Sequence, residues 1–137
     1  MPEEGYTVPR PPSHLRKAGK TLWRAVCGDW HLEADGDDIV ILALACEAAD
    51  RASQASAELK AHGSLTTHDR FGVVRPHPLV EVERQARAQA AQLVAQIQRG
   101  QTSFRRLELA TERQARVEAR AAQRKDRRGG GRARLNG

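Results

Sequence analysis

Arginine is the residue type through which this chain could do most chemistry. Arg105, Arg106, Arg113, Arg116, Arg120, Arg124, Arg127 and Arg128 crowd one short stretch, with Lys125 as its ninth cation. If that stretch is helical, the eight arginines fall within an arc of roughly 140° at 100° per residue. Glu108, Glu112, Glu118 and Asp126 fall outside the arc, and several are spaced for i,i+4 pairing with arginine. A guanidinium fork matches phosphate oxygens, so a one-sided stripe of them can track a phosphate backbone. Nothing in the stripe specifies base readout. It points to polyanion binding, with double-stranded DNA as the ligand and a solvated or partner-docking helix as the alternative. Arg16, Lys17, Lys20 and Arg24 form a second candidate surface on a first helix, where an ordinary wet face is the plainer reading.

Other chemistries find little material. His14, His31, His62, His68 and His77 form no HExxH or Cys/His cluster, and no metal site is expected. Gly129-Gly130-Gly131 lacks the preceding strand and the following GK[ST] of a phosphate loop. Asp37-Asp38 suits a helix start better than acid–base work. Cys27 and Cys46 make no disulfide framework and read as free, buried thiols of a reducing compartment. No catalytic residues and no cofactor are expected, so the chain does not read as an enzyme.

The charge is segregated. Residues 1–99 carry a net charge of −1 and residues 100–137 a net charge of +7. A neutral body with a basic extension reads as a scaffold plus a polyanion contact. Of 137 residues 39% are hydrophobic, but 22 of these are alanine. So thin a core usually leans on a metal, disulfides or partner subunits, which makes an oligomer the expectation. No apolar run approaches the ~18 residues of a membrane span, so no membrane partner is expected. The first residues resemble no secretory signal.

The elements that must position these residues read as all-α, an antiparallel helical protomer. Residues 1–12 hold four prolines and read as a disordered or extended arm. Residues 13–102 read as a helical oligomerisation core. Ser13 is placed to cap a first helix over 13–32, with Leu15, Ala18, Leu22, Val26 and Trp30 as its apolar stripe and Trp23 beside it. Asp37 is placed to cap a second helix over 38–61, whose apolar opening predicts burial on nearly every face and whose stop is Gly63. A short β-hairpin-like loop follows, pairing 65–67 with 71–74 around a turn at His68-Asp69-Arg70. Pro78 opens a third helix, on which Leu79, Val82, Ala86, Ala90, Leu93 and Ile97 align on one face until Gly100 ends it. Leu79, Val82, Ala86, Leu93 and Ile97 are the expected oligomerisation face. Thr102 or Ser103 then caps a basic C-terminal helix over 103–128, and residues 129–137 read as a disordered tail.

The order of these features resembles the small terminase subunit of tailed double-stranded DNA phages, in its short, all-helical family. Pro11-Pro12-Ser13-His14-Leu15 leads into a helix with Leu22-Trp23. An acidic break precedes Asp38-Ile39-Val40-Ile41-Leu42-Ala43-Leu44-Ala45-Cys46-Glu47-Ala48. A variable loop ends in Arg75-Pro76-His77-Pro78, and a helix closes on Gly100-Gln101-Thr102-Ser103-Phe104-Arg105-Arg106-Leu107. The resemblance spans roughly residues 9–107 and does not reach the Arg-rich extension beyond Arg106. It implies a ring-shaped homo-oligomer of roughly eight to ten subunits. It further implies recognition of viral DNA at the packaging start, delivery to the large terminase subunit, regulation of that subunit's ATPase and nuclease, and a place in the host cytoplasm. The alternative from the residues themselves is a dimeric helix-turn-helix-like DNA-binding regulator, with a basic-tailed structural adaptor behind it.

Overall fold

A computed structural model describes residues 5–135, with side chains over 5–130. Its elements are α1 (Lys17–Trp30), α2 (Asp37–His62), β1 (Thr66–His68), β2 (Val74–Pro76) and α3 (Pro78–Leu135). The residues divide into two compact units, Met1–Arg99 and Gly100–Gly137. The mainly helical class and the small hairpin between the second and third helices agree with the sequence reading, but the described residues form three helices rather than four.

The first helix begins later than Ser13 predicts. Pro11 and Pro12 resist helix, and the chain turns there with the Leu15 amide donating to the Pro12 carbonyl at 3.2 Å. Arg16 is the extended N-cap and offers no side-chain cap of its own. The carboxylate of Asp50, on α2, takes that role. Its two oxygens accept the Arg16 amide at 2.8 Å and the Gly19 amide at 2.7 Å. A helix start with no local acid thus receives its anion from a neighbouring element. The approach needs Gly19. A Cβ there would lie 2.6 Å from an Asp50 oxygen and 2.9 Å from the Cys46 carbonyl oxygen.

This contact presses α1 on α2 and selects the core. Trp23, Val26 and Cys27 point inward, whereas Leu22 and Trp30 are only partly buried. Trp23, which the periodicity places beside the stripe, is therefore an anchor. Leu15, Leu32, Leu42, Cys46 and Ile97 complete the cluster. α2 is not buried on every face. Leu42, Ala45, Cys46 and Ala48 are covered, but Val40 is 63% and Leu44 48% exposed. The first turns of α2 are open on the side of Val40 and Leu44, although Ala48, Ala55 and Leu59 further along that side are buried. Gly36, not Asp37, is its N-cap, and Asp37 and Asp38 occupy the first turn. Gly63 ends it in the left-handed conformation (φ 82°), as the sequence predicts.

The arm, read as disordered or extended, has no helix or strand over residues 5–12 but is tied to the body. Tyr6 donates to the Leu32 carbonyl at 2.9 Å and stacks on His31 with ring centres 4.4 Å apart. The buried indole of Trp23 donates to the Pro9 carbonyl at 2.8 Å. Both contacts give a buried or half-buried ring its polar partner, which ties an otherwise featureless proline-rich segment to the body. Residues 1–4 lie outside the described part.

β1 and β2 pair antiparallel, with Thr67 opposite Arg75. The turn is Asp69–Val73, later than predicted, because Asp69 organises it. One Asp69 oxygen accepts the amides of Phe71 (2.8 Å) and Val73 (3.0 Å), and the other accepts Arg75 Nε at 3.0 Å. Gly72 supplies the left-handed residue (φ 76°) that closes such a loop.

α3 opens at Pro78 as predicted but does not stop at Gly100, and no separate helix begins at 103. Glycine lowers helix stability by about 1 kcal/mol relative to alanine without forcing a stop. Gly100 is not among the residues with positive φ, so no left-handed cap forms there. Helix also continues through Gly129 to Leu135, where a disordered tail is predicted. Residues 136–137 lie outside the described part.

Gly19→Ala should destabilise the body despite alanine's better helix propensity, and Asp50→Ala should cost about 1–3 kcal/mol through two orphaned amides. Urea unfolding followed by Trp fluorescence checks both, and a Gly19→Ala chain as stable as the parent would contradict the close approach. Burial, reinforced by the neighbouring Cys27, pushes the Tyr6 phenol up from 10 to about 12. The folded state thus holds its proton more tightly, and the stability this contributes is complete below pH 10 and lost as pH rises towards about 12. Tyr6 is the single tyrosine, so phenolate absorbance reads it alone. It should titrate near 12 when folded and near 10 in urea.

Candidate nucleic-acid interface

The basic segment forms as helix because its composition is local and favourable. Between Gly100 and Arg128 it is mainly Ala, Arg, Gln, Glu and Leu, all good helix formers. Every described residue from Thr102 to Gly130 is exposed. Arg105, Arg106, Arg113, Arg116, Arg120, Arg124, Arg127 and Arg128 all stand on helical backbone and in solvent, so the helical geometry places them on one side of α3.

The acids do not neutralise the stripe. Among the described residues, Arg113, Arg116, Arg120 and Arg124 close no ion pair, against the i,i+4 pairing the spacing suggests. Glu118 instead accepts from Gln114 at 3.2 Å. Exposed pairs gain little over the entropy of holding two long side chains, so open arginines are the natural result. Such pairs do close within the body, at Glu81 with Arg84 (2.6 Å) and Glu83 with Arg87 (2.7 Å). The Arg84 hydrogen bond holds the Glu81 carboxyl below its usual range. Leu109 and Val117 fall inside the arginine arc and are exposed, whereas Phe104 and Leu107 are exposed on the other side.

The second basic surface is also assembled on one face. Arg16 stands at the α1 N-cap, and Lys17, Lys20 and Arg24 follow along the helix with Lys20 partly buried. The backbone of Arg16 is committed to Asp50, but its side chain is exposed.

The expected oligomerisation face divides. Ile97 is fully buried and Ala86 6% exposed, so both are covered within the chain rather than by a neighbour. Leu79 and Leu93 are half-buried, and Val82 is 43% exposed. The sequence reading missed three other uncovered apolar sets. These are Val40 with Leu44, the hairpin residues Leu65, Phe71, Val73 and Val74, and Val8 on the arm. A signal was available at the hairpin, since strands of three residues have no room for an inward face.

The remaining candidates for chemistry have structural employment. Asp69 holds the hairpin turn, and His77 Nδ1 accepts the Leu79 amide at 3.1 Å at the start of α3. Arg75 first, then the Val73 amide, hold the Asp69 carboxyl below its usual range. The free thiols Cys27 and Cys46 are buried, and burial raises Cys27 and pushes Cys46 up to about 12. Among the described residues, no group of three or more His, Cys, Asp or Glu side chains is arranged to hold a metal. No helix among the described residues is long and apolar enough to cross a membrane.

Comparison with known proteins adds one match. A family model described as phage terminase, small subunit, matches residues 19–120, which covers most of α1, all of α2, the hairpin and much of the basic segment. No curated protein and no solved structure matches. With most of its length matched, the chain belongs to the phage terminase small-subunit family, and its role lies in phage genome packaging.

Proposed function

We propose that this chain binds double-stranded viral DNA at the packaging start as a ring of roughly eight to ten copies. It delivers the DNA to the large terminase subunit and regulates that subunit's ATPase and nuclease, in the cytoplasm of the infected host. It is not itself an enzyme and uses no cofactor. The observation carrying this reading is the arginine stripe on α3, exposed along its length and unpaired at Arg113, Arg116, Arg120 and Arg124. Repeating a segment of net charge +7 around a ring would turn modest single contacts into a strong field. Family membership supports the packaging role. The uncovered apolar residues of the body support association.

The shared face of Arg16, Lys17, Lys20 and Arg24 favours a second reading. There α1 and α2 read DNA in the manner of a helix-turn-helix, the protein is a dimer, and the α3 arginines dock on a protein partner.

Changing Arg113, Arg116, Arg120 and Arg124 together to Ala should weaken DNA binding and flatten its dependence on salt. Each lost phosphate contact should remove about 0.9 from the log–log slope, so the full set removes about 3 to 4. Unchanged affinity and slope would overturn the stripe as the DNA contact. The same effect from Arg16, Lys17, Lys20 and Arg24 instead would move the contact to α1. Native mass spectrometry should give one species of roughly eight to ten chains, and a dimer would favour the regulator.

A further inference from the structure

We propose that the hairpin of one copy seats on the exposed α2 face of the next copy, joining chains head to tail. This names the interface of the ring proposed above and rests on that reading.

The hairpin is an apolar projection. Phe71 is 76% exposed, and Leu65, Val73 and Val74 are each more than half exposed. It is also pre-shaped. Asp69 holds the amides of Phe71 and Val73 and the guanidinium of Arg75, and Arg70 lies over the Phe71 ring at 4.9 Å. A loop already held in shape loses little freedom on docking, so most of the gain from burying Phe71 is retained. The α2 face is the complementary surface. Val40 and Leu44 stand one helical turn apart and uncovered, and Asp37 precedes Val40 by three residues on the same side.

Charge decides which surfaces meet. The hairpin tip carries Arg70, and the approach to α2 carries the exposed acids Glu33, Asp35 and Asp37. Hairpin against hairpin would set Arg70 against Arg70, and α2 against α2 would set Asp37 against Asp37. Only the pairing of unlike surfaces joins opposite charges. Two different patches on one chain give a heterologous contact, which propagates head to tail and closes as a ring when the rotation allows. A surface already marked by apolar exposure thus gains a specific occupant, a second copy of this chain.

The full chain with p-benzoylphenylalanine in place of Phe71 tests this. Irradiation should give a ladder of covalent multimers, with the crosslink mapping to residues 33–47 of another copy. Crosslinks that map elsewhere, that reach added DNA, or that fail to form in an oligomeric sample would overturn this interface and leave the ring standing. A parent chain that is monomeric overturns the ring and this interface together. A second arm uses Phe71→Asp and Leu44→Asp, each at an exposed position, with helix content checked by circular dichroism. Each alone should fall to a single chain. Their mixture should form a heterodimer and stop there, because one intact contact remains. A mixture that associates no better than its components would overturn the head-to-tail pairing.

Discussion

The Asp50 carboxylate at the start of α1 is the contact on which the body depends. α1 begins with Arg16 and Lys17, two cations at the end where a helix dipole is already positive. The first turn contains no acid to offset them. An oxygen pair from α2 meets two of the orphan amides, and it can do so only because residue 19 has no side chain. One local deficiency in charge and one missing Cβ therefore set how closely α1 and α2 approach. Trp23 and Cys27 are turned toward Leu42 and Cys46 as a result. His14 adds a second tie to α2, with Nε2 2.9 Å from Glu47 Oε1. Trp23, once inward, needs a partner for its indole and finds it in the arm.

The same geometry explains what is left over. A close, alanine-rich helix contact fills a small core with few large side chains, which is what the composition permits. Ala45, Ala48, Ala52 and Ala55 are all buried on α2. Val40 and Leu44 stand exposed near the start of α2, whereas Ala48, Ala55 and Leu59 further along the same side are buried. Apolar exposure on α2 and on the hairpin is thus a consequence of how the core is built. A thin core and spare apolar faces are two expressions of one arrangement, and both favour association.

What was legible in the sequence is what short-range physics decides. The 3.6-residue periodicity marked α1 and the first part of α3, an acidic start and an apolar opening marked α2, Gly63 marked a stop and Pro78 a start, and the strand-like residues marked a hairpin. The arginine arc could be read because it depends only on helical spacing. Several misreadings involve a partner distant in sequence or a weak breaker. Ser13 looked like a cap because nothing local revealed that Asp50, 34 residues from Arg16, would serve instead. The arm looked disordered because Leu32, His31 and Trp23 hold it only once folded. α2 looked buried all round because apolar content does not say on how many sides neighbours stand. Gly100 looked like a stop because glycine often is one, yet here it keeps helical φ within a segment of strong helix formers. The Asp69 turn was displaced from the expected position by a carboxylate that satisfies three donors at once.

The segregation of charge fits the proposed assembly better than an even spread would. Subunits that meet through apolar patches and a few opposite charges must not repel one another where they meet. A body of net charge −1 meets that condition, with acids near α2 and Arg70 on the hairpin giving direction to an otherwise non-directional apolar contact. The cations needed for a polyanion would oppose closure if they lay on that body, since each added copy would bring more of them together. Confined to residues 100–137, the net charge of +7 lies on a segment whose described side chains from Thr102 to Gly130 are all exposed. In the proposed ring, repulsion among copies of that segment would be relieved by phosphates, so the same charge that resists crowding in the free ring would favour the DNA-bound one. In the proposed ring, DNA binding and assembly would be coupled through electrostatics, and low salt should strain the free ring while strengthening its complex with DNA.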